Sequence, residues 1–394
     1  GESFARALLR QAALERRFHP DAWSLRPYCL AVWIAPNDAA IALEVNAALT
    51  ARFAPIDRAR AWSEIVEQSH RAGYALYWNG VAYAEAEQYG EAERCYREAL
   101  DCAVTPELIA RYLALIAHWG SQAQEMIANG STQNASTIVA HSLESLKYIA
   151  SRPLSPGLLG EPFALEVIEL ARLLPAVSPQ TSPVRACQLA MRADPDNEKT
   201  IQAVDALLNA QMSREEYALA WSEILRNAPL SECALHFACA ASYQADGFEI
   251  TVERFKQLFD ASPKDNPVQL AMLEIFQHHT LAELSLEKGE RALAKKQLDE
   301  AERGMRELLD KKTPREALGK TFARAQLAQA ELIRKITPEA VPWVPYKLAI
   351  WAAPEDFEIA QKAEELFQKA LSPAECVTVW DDIAAHAPDS PYAF

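Results

Sequence analysis

Glycine is scarce in this sequence, at 12 of 394 residues. No Gly-rich phosphate loop occurs, and no GxSxG nucleophile elbow. Long alternating runs of Val, Ile, Thr and aromatics are missing, so nothing announces a sheet. No run of about 20 apolar residues is there to cross a bilayer, so no membrane insertion is expected. No cleavable leader is visible, but the chain opens on Gly1 rather than methionine, so a piece of a longer protein is expected. Positive charge is in deficit: 39 Lys and Arg face 54 Asp and Glu, for a net −15. That argues against a nucleic-acid or anionic-membrane partner, because phosphate binding needs clustered cations. The pairs Lys295–Lys296 and Lys311–Lys312 read as solvated helix faces.

Cysteine chemistry and metal chemistry are equally thin. The seven cysteines are odd in number, contain no CxxC and mostly have apolar neighbours. That favours a reducing compartment, the cytoplasm, with the periplasm as the alternative if the N-terminus was cut from a longer chain. His278 and His279 are adjacent, so on a helix they point about 100° apart and cannot chelate one metal together. Asp381–Asp382 could open an acidic metal motif, but Ala384, Ala385 and His386 follow where another carboxylate is needed. No catalytic residue, metal or cofactor is expected, and the chain is not read as an enzyme, the full-length parent being left open.

What is present favours helix. Half of the residues are apolar, and Ala and Leu dominate among them. The pentapeptide AWSEI stands at 61–65 and again at 220–224, with VWDDI at 379–383. The three tryptophans, Trp62, Trp221 and Trp380, are thus separated by 159 residues each time. The same shift aligns Gly1, Gly160 and Gly319, then Phe4, Phe163 and Phe322, then Pro36, Pro195 and Pro354. Chance does not hold glycine, proline and aromatics in phase over three copies. The sequence predicts units at 1–159 and 160–318 and a partial third at 319–394, truncated inside its next helix. Ser151 to Pro162 is the best candidate boundary, and the polar stretch Asn129 to Thr137 reads as a loop.

A shorter period lies inside each unit. Pro195, Pro229 and Pro263 are 34 apart, each just past an apolar helical stretch that a proline ends. Residues 76–100, LYWNGVAYAEAEQYGEAERCYREAL, resemble a tetratricopeptide repeat, whose length is also 34. Leu76, Gly80 and Tyr83 match the large-small-large positions of its first helix, and Ala92, Tyr96 and Ala99 those of the second. Gln88–Tyr89–Gly90 supplies the turn. Asn79 and Val104 depart from the pattern. Carried outward, the frame gives repeats at 5–38, 39–72 and 73–106, then 164–197, 198–231 and 232–265, then 323–356 and 357–390. Trp62, Trp221, Trp380, Tyr96 and Phe255 fall on the aromatic position of a second helix and read as structural anchors. Asn46, Asp205 and Glu364 stand where the pattern wants a small residue.

The resemblance implies an all-α fold, a right-handed α-solenoid of tetratricopeptide-like hairpins arranged as a tandem 159-residue super-repeat. First helices of such arrays line a concave face that holds proteins or peptides. On that face the frame places Tyr74, Tyr77 and Val81, matched 159 positions later by Cys233, His236 and Ala240. Exposed tyrosines suit a binding surface. The expected function is a non-catalytic protein–protein interaction scaffold. The alternative is a substrate- or partner-presenting arm of a larger enzyme, such as a glycosyltransferase, or of a polysaccharide-export or secretion component. The sequence is silent on oligomeric state.

Overall fold

A computed structural model describes residues 1–18, 24–102, 105–152, 158–227, 231–262 and 266–392. Pro229, Pro263 and Val104 lie outside the described residues. Among the described residues every regular element is a helix. By packing, the chain divides into two compact units, Gly1–Asp194 and Pro195–Phe394. That is a division by contact, and it does not bear on the division by sequence repetition at 160 and 319.

The first unit runs α1 (Glu2–Phe18), α2 (Arg26–Ile34), α3 (Ala39–Thr50), α4 (Pro55–Gln68), α5 (Gly73–Glu85), α6 (Tyr89–Cys102), α7 (Pro106–Ala128), α8 (Thr132–Ala150), α9 (Gly160–Val177) and α10 (Val184–Ala193). The second runs α11 (Glu198–Gln211), α12 (Arg214–Asn227), α13 (Glu232–Asp246), α14 (Phe248–Ala261), α15 (Pro267–Glu287), α16 (Arg291–Asp310), α17 (Arg315–Ile336), α18 (Trp343–Ala352), α19 (Phe357–Ala370) and α20 (Pro373–His386). Within each unit, consecutive helices pack as hairpins. The all-helical reading of the sequence, as successive helical hairpins, therefore stands.

Local chemistry sets the helix starts. Asp38 accepts from the Ala40 and Ile41 amides at 2.9 and 3.1 Å, and Ser231 caps α13 through the Ala234 amide at 3.2 Å. Prolines that look like faults in the repeat pattern stand at helix starts. Pro27 lies in the first turn of α2, and Pro183 and Pro342 are the residues before α10 and α18. There a missing N–H costs nothing. Gly160 and Gly319 adopt positive φ of 55° and 48°, a region open chiefly to glycine. Gly160 begins α9, and Gly319 marks the bend in α17.

Two sequence expectations fail here: the turn before α6 spans Ala86 to Gln88, with Tyr89 and Gly90 already helical, and a polar loop is missing. Asn129 to Thr137 is not a loop, because the turn occupies only 129–131 and α8 begins at Thr132. Ser, Thr and Asn are unfavourable in helix middles but suit the first turn, and composition alone cannot tell that turn from a loop. Residues 267–310 form a long hairpin, α15 and α16, with Gly289 at φ 80° in the turn.

Candidate functional site

In the α5–α6 hairpin the helices touch at Gly80. A Cβ there would lie 2.6 Å from Tyr96 Cε1, so only glycine admits the ring. Tyr96 is buried, with the Tyr112 ring 5.7 Å away. This is the small-against-aromatic fit of the repeat pattern. On the other side of α5, Tyr74 and Tyr77 are half-buried, and the Tyr77 ring meets Trp78 edge-on at 5.0 Å. Val81 is buried, not solvent-facing. Helix α5 packs against α3 and α7, and periodicity within a single helix does not register such neighbours.

The positions 159 residues on behave differently. His236 is exposed, Cys233 and Ala240 are half-buried, and Tyr243 is buried with its hydroxyl donating to Glu290 at 2.8 Å. His236 and Cys233 line a groove of about 910 Å³ between the first helices α13, α15 and α17 of the second unit. Its floor is apolar, from Met272, Leu273 and Phe276 on α15 and Leu318 on α17.

His279 also lines this groove and is 95% buried. Its Nε2–H donates to Gln329 Oε1 at 2.8 Å, and the Gln329 amide NH₂ donates to the Leu298 carbonyl at 3.2 Å. The amide thus fixes the histidine tautomer. Burial, helped by the neighbouring His278, pulls the His279 pKa down to about 4, so the ring is neutral. Nδ1 is then a pure acceptor, and it has no partner. His278 turns the other way, to Gln297 at 2.8 Å. Asp382 is ion-paired with Lys347 at 2.9 Å, while Asp381 is exposed. Among the described residues, no group of three His, Cys, Asp or Glu side chains is placed to hold a metal.

All seven cysteines are unpaired. Burial pushes the Cys29 thiol up to about 11 and Cys95 and Cys187 up to about 12, and holds Cys239 well above its ordinary value. Such thiols stay protonated and are poor nucleophiles.

Two sets of residues escaped the sequence reading. Glu93 on α6 is the hub of a buried network: one carboxylate oxygen accepts from Ser145 at 2.7 Å, Arg97 at 2.9 Å and Tyr112 at 3.0 Å, and the other meets His141 at 2.6 Å. Burial alone would raise this carboxyl, but the Ser145 and His141 hydrogen bonds and the Arg97 charge together hold it below its ordinary value. The second set is Asn46, Asp205 and Glu364. They accept the indole N–H of Trp62, Trp221 and Trp380 at 3.2, 3.2 and 2.5 Å, each from 16 residues upstream. Trp62 and Trp221 are fully buried, and Trp380 is half-buried. The signal was available as a polar residue at a constant offset from each tryptophan.

No family model matches the chain, and no curated protein matches it. Among solved structures it is similar to a chain of the APC/C hetero-tetramer Cut9–Hcn1, at 12% identity over 100% of this chain and 95% of that one, with a TM-score of 0.26. It is also similar to a chain of the Naa15/Naa10 complex bound to HypK-THB, at 12% identity over 99% and 64%, with a TM-score of 0.22. Superpositions this loose carry no argument about what this chain binds.

Proposed function

We propose that the chain is a non-catalytic scaffold that holds protein or peptide partners on the side presented by its first helices. The observation that carries this is the groove of about 910 Å³ between α13, α15 and α17, in which an apolar floor meets polar walls. Binding sites combine these two kinds of surface, the first for affinity and the second for orientation. Tyr74 and Tyr77 on α5 are the proposed contacts of the first unit; Val81 is buried and is not one of them. The net charge of −15 disfavours nucleic acid as the partner. Seven unpaired thiols fit a reducing compartment such as the cytoplasm. No helix among the described residues is long and apolar enough to cross a membrane.

The test compares Tyr77→Ala with His236→Ala. Partners recovered on the immobilised chain are identified by mass spectrometry and titrated against both variants, each first checked for an unchanged melting curve. A loss at Tyr77 alone places the dominant face on α5, and a loss at His236 alone places it in the groove. Equal losses mean that both faces are used. Two folded variants that bind every partner normally overturn the proposal.

A further inference from the structure

The groove has a charge as well as a shape. Its walls carry five carboxylates against two fixed cations, Arg324 and Lys335. Lys335 is already held by Glu283 in an ion pair. Asp196 makes no salt bridge among the described residues, and Glu232 has the charge of Arg324 near it without a direct ion pair. Part of this acidity has a local use, because Glu198 and Glu232 stand in the first turns of α11 and α13 and offset the helix dipole. Glu283 and Glu331 lie well beyond the first turns of α15 and α17 and are ion-paired instead, Glu283 with Lys335 and Glu331 with Lys362 at 3.9 Å. The surplus is therefore negative and faces an apolar floor.

His279 adds a second, independent observation. It is a 95% buried side chain on the groove wall whose Nδ1 accepts and has no donor. Leaving such a group unmet is unfavourable, so a ligand that brings an N–H donor gains from meeting it. The atom is itself covered, and a donor reaches it only after a neighbouring side chain gives way.

We propose that this groove takes a basic amphipathic peptide segment of a partner protein, with apolar side chains on the Phe276 floor and Lys or Arg side chains against Asp196 and Glu232. The proposal rests on the scaffold reading and narrows it to one partner chemistry. The groove follows α15 from Val268 to Glu283, fifteen residue steps, or roughly 22 Å at the helical rise. That length holds about six or seven extended residues.

The probe is a fluorescent peptide of alternating Leu and Lys, about eight residues long, with a Leu/Glu peptide of the same pattern as its counterpart. Each is titrated into the full chain by anisotropy. The basic probe is expected to bind and the acidic one to fail. Asp196→Asn combined with Glu232→Gln is expected to weaken binding by about tenfold or more. Glu215→Gln with Glu339→Gln, two exposed carboxylates away from the groove, is expected to change it by less than about twofold. Ala328→Lys on the groove wall is expected to abolish binding while the melting curve holds. If both probes bind and Ala328→Lys blocks both, the groove selects no charge, and the proposal falls while the scaffold reading stands. If the off-groove pair weakens binding as much as the groove pair, the attraction is to net charge, and the proposal falls. If neither probe binds, it falls as well, and the scaffold reading is then judged separately by the Tyr77 and His236 variants.

Discussion

AWSEI is spelled identically in the two compact units and connected differently in each. In the first unit, Trp62 donates to the neutral Asn46. Ser63 reaches across to the next hairpin, bonding the Tyr83 hydroxyl at 3.1 Å and the Asn79 amide at 3.2 Å. Asn79, the odd residue in the repeat pattern, is therefore the partner of the serine in the repeated phrase. In the second unit, Trp221 donates to a carboxylate, Asp205, which also accepts from the Tyr217 hydroxyl. Among the described residues Ser222 bonds only back to Ala218 in its own helix, at 2.9 Å, a back-bond that Ser63 also makes, to Ala59 at 3.0 Å. The positions matching Asn79 and Tyr83 hold Ala238 and Ser242. A short identical phrase therefore conveys where the indole packs, while its polar connections are written elsewhere in the chain.

The hardest test of that contrast is the tryptophan itself. Trp62→Ala and Trp221→Ala should each destabilise the chain by about 3–5 kcal/mol in denaturant unfolding, despite their different acceptors. Trp380→Ala should cost less, because Trp380 is only half-buried. A cost at Trp380 equal to that at Trp221 would show that burial does not set the scale. Next in size is the Glu93 network, which the second unit lacks. The positions matching Glu93, Tyr112 and Ser145 hold Val252, Ala271 and Gly304, and Gly304 leaves room for Ile275. Glu93→Gln should cost about 1–3 kcal/mol at neutral pH. The Glu93 carboxyl titrates lower folded than unfolded. Its contribution is thus present above the unfolded value near 4.3 and lost as pH falls through the folded one. The gap between wild type and Glu93→Gln should close on acidification, and hydrogen exchange should locate the early loss in α6 to α8. A gap that widens in acid would reverse the assignment.

The smallest effect separates the two serines. Ser63→Ala should cost about 1 kcal/mol, since it strands Asn79 and Tyr83. Ser222→Ala should stay within about 0.5 kcal/mol, since a back-bond inside a helix adds little. Equal costs would mean that the cross-hairpin bonds of Ser63 contribute nothing.

The helices were legible because proline, glycine and apolar spacing act locally. The Gly289 turn and the Gly80–Tyr96 contact can be read from a few neighbouring letters. Asn46, Asp205 and Glu364 stand at a constant offset from each tryptophan, yet a repeat pattern does not mark them as acceptors, because it records what a position usually holds and not what compensates for an exception. Val81 was misplaced for a related reason: an angle around one helix says nothing about α3 and α7 beside it. The groove was out of reach entirely, since its lining comes from α13, α15 and α17 together with the start of α11.

The indole bonds also bear on how the chain folds. Each ties a tryptophan to an acceptor 16 residues earlier, within one hairpin. Closing a ten-residue loop takes roughly 10–100 ns, and the entropy of closure grows only slowly with length. Each hairpin therefore carries its own polar fastening, which can close without waiting for chain that emerges later from the ribosome. Contacts of such short sequence range favour fast folding. They also leave partly synthesised chain with fewer open apolar faces, and thus less opportunity to aggregate.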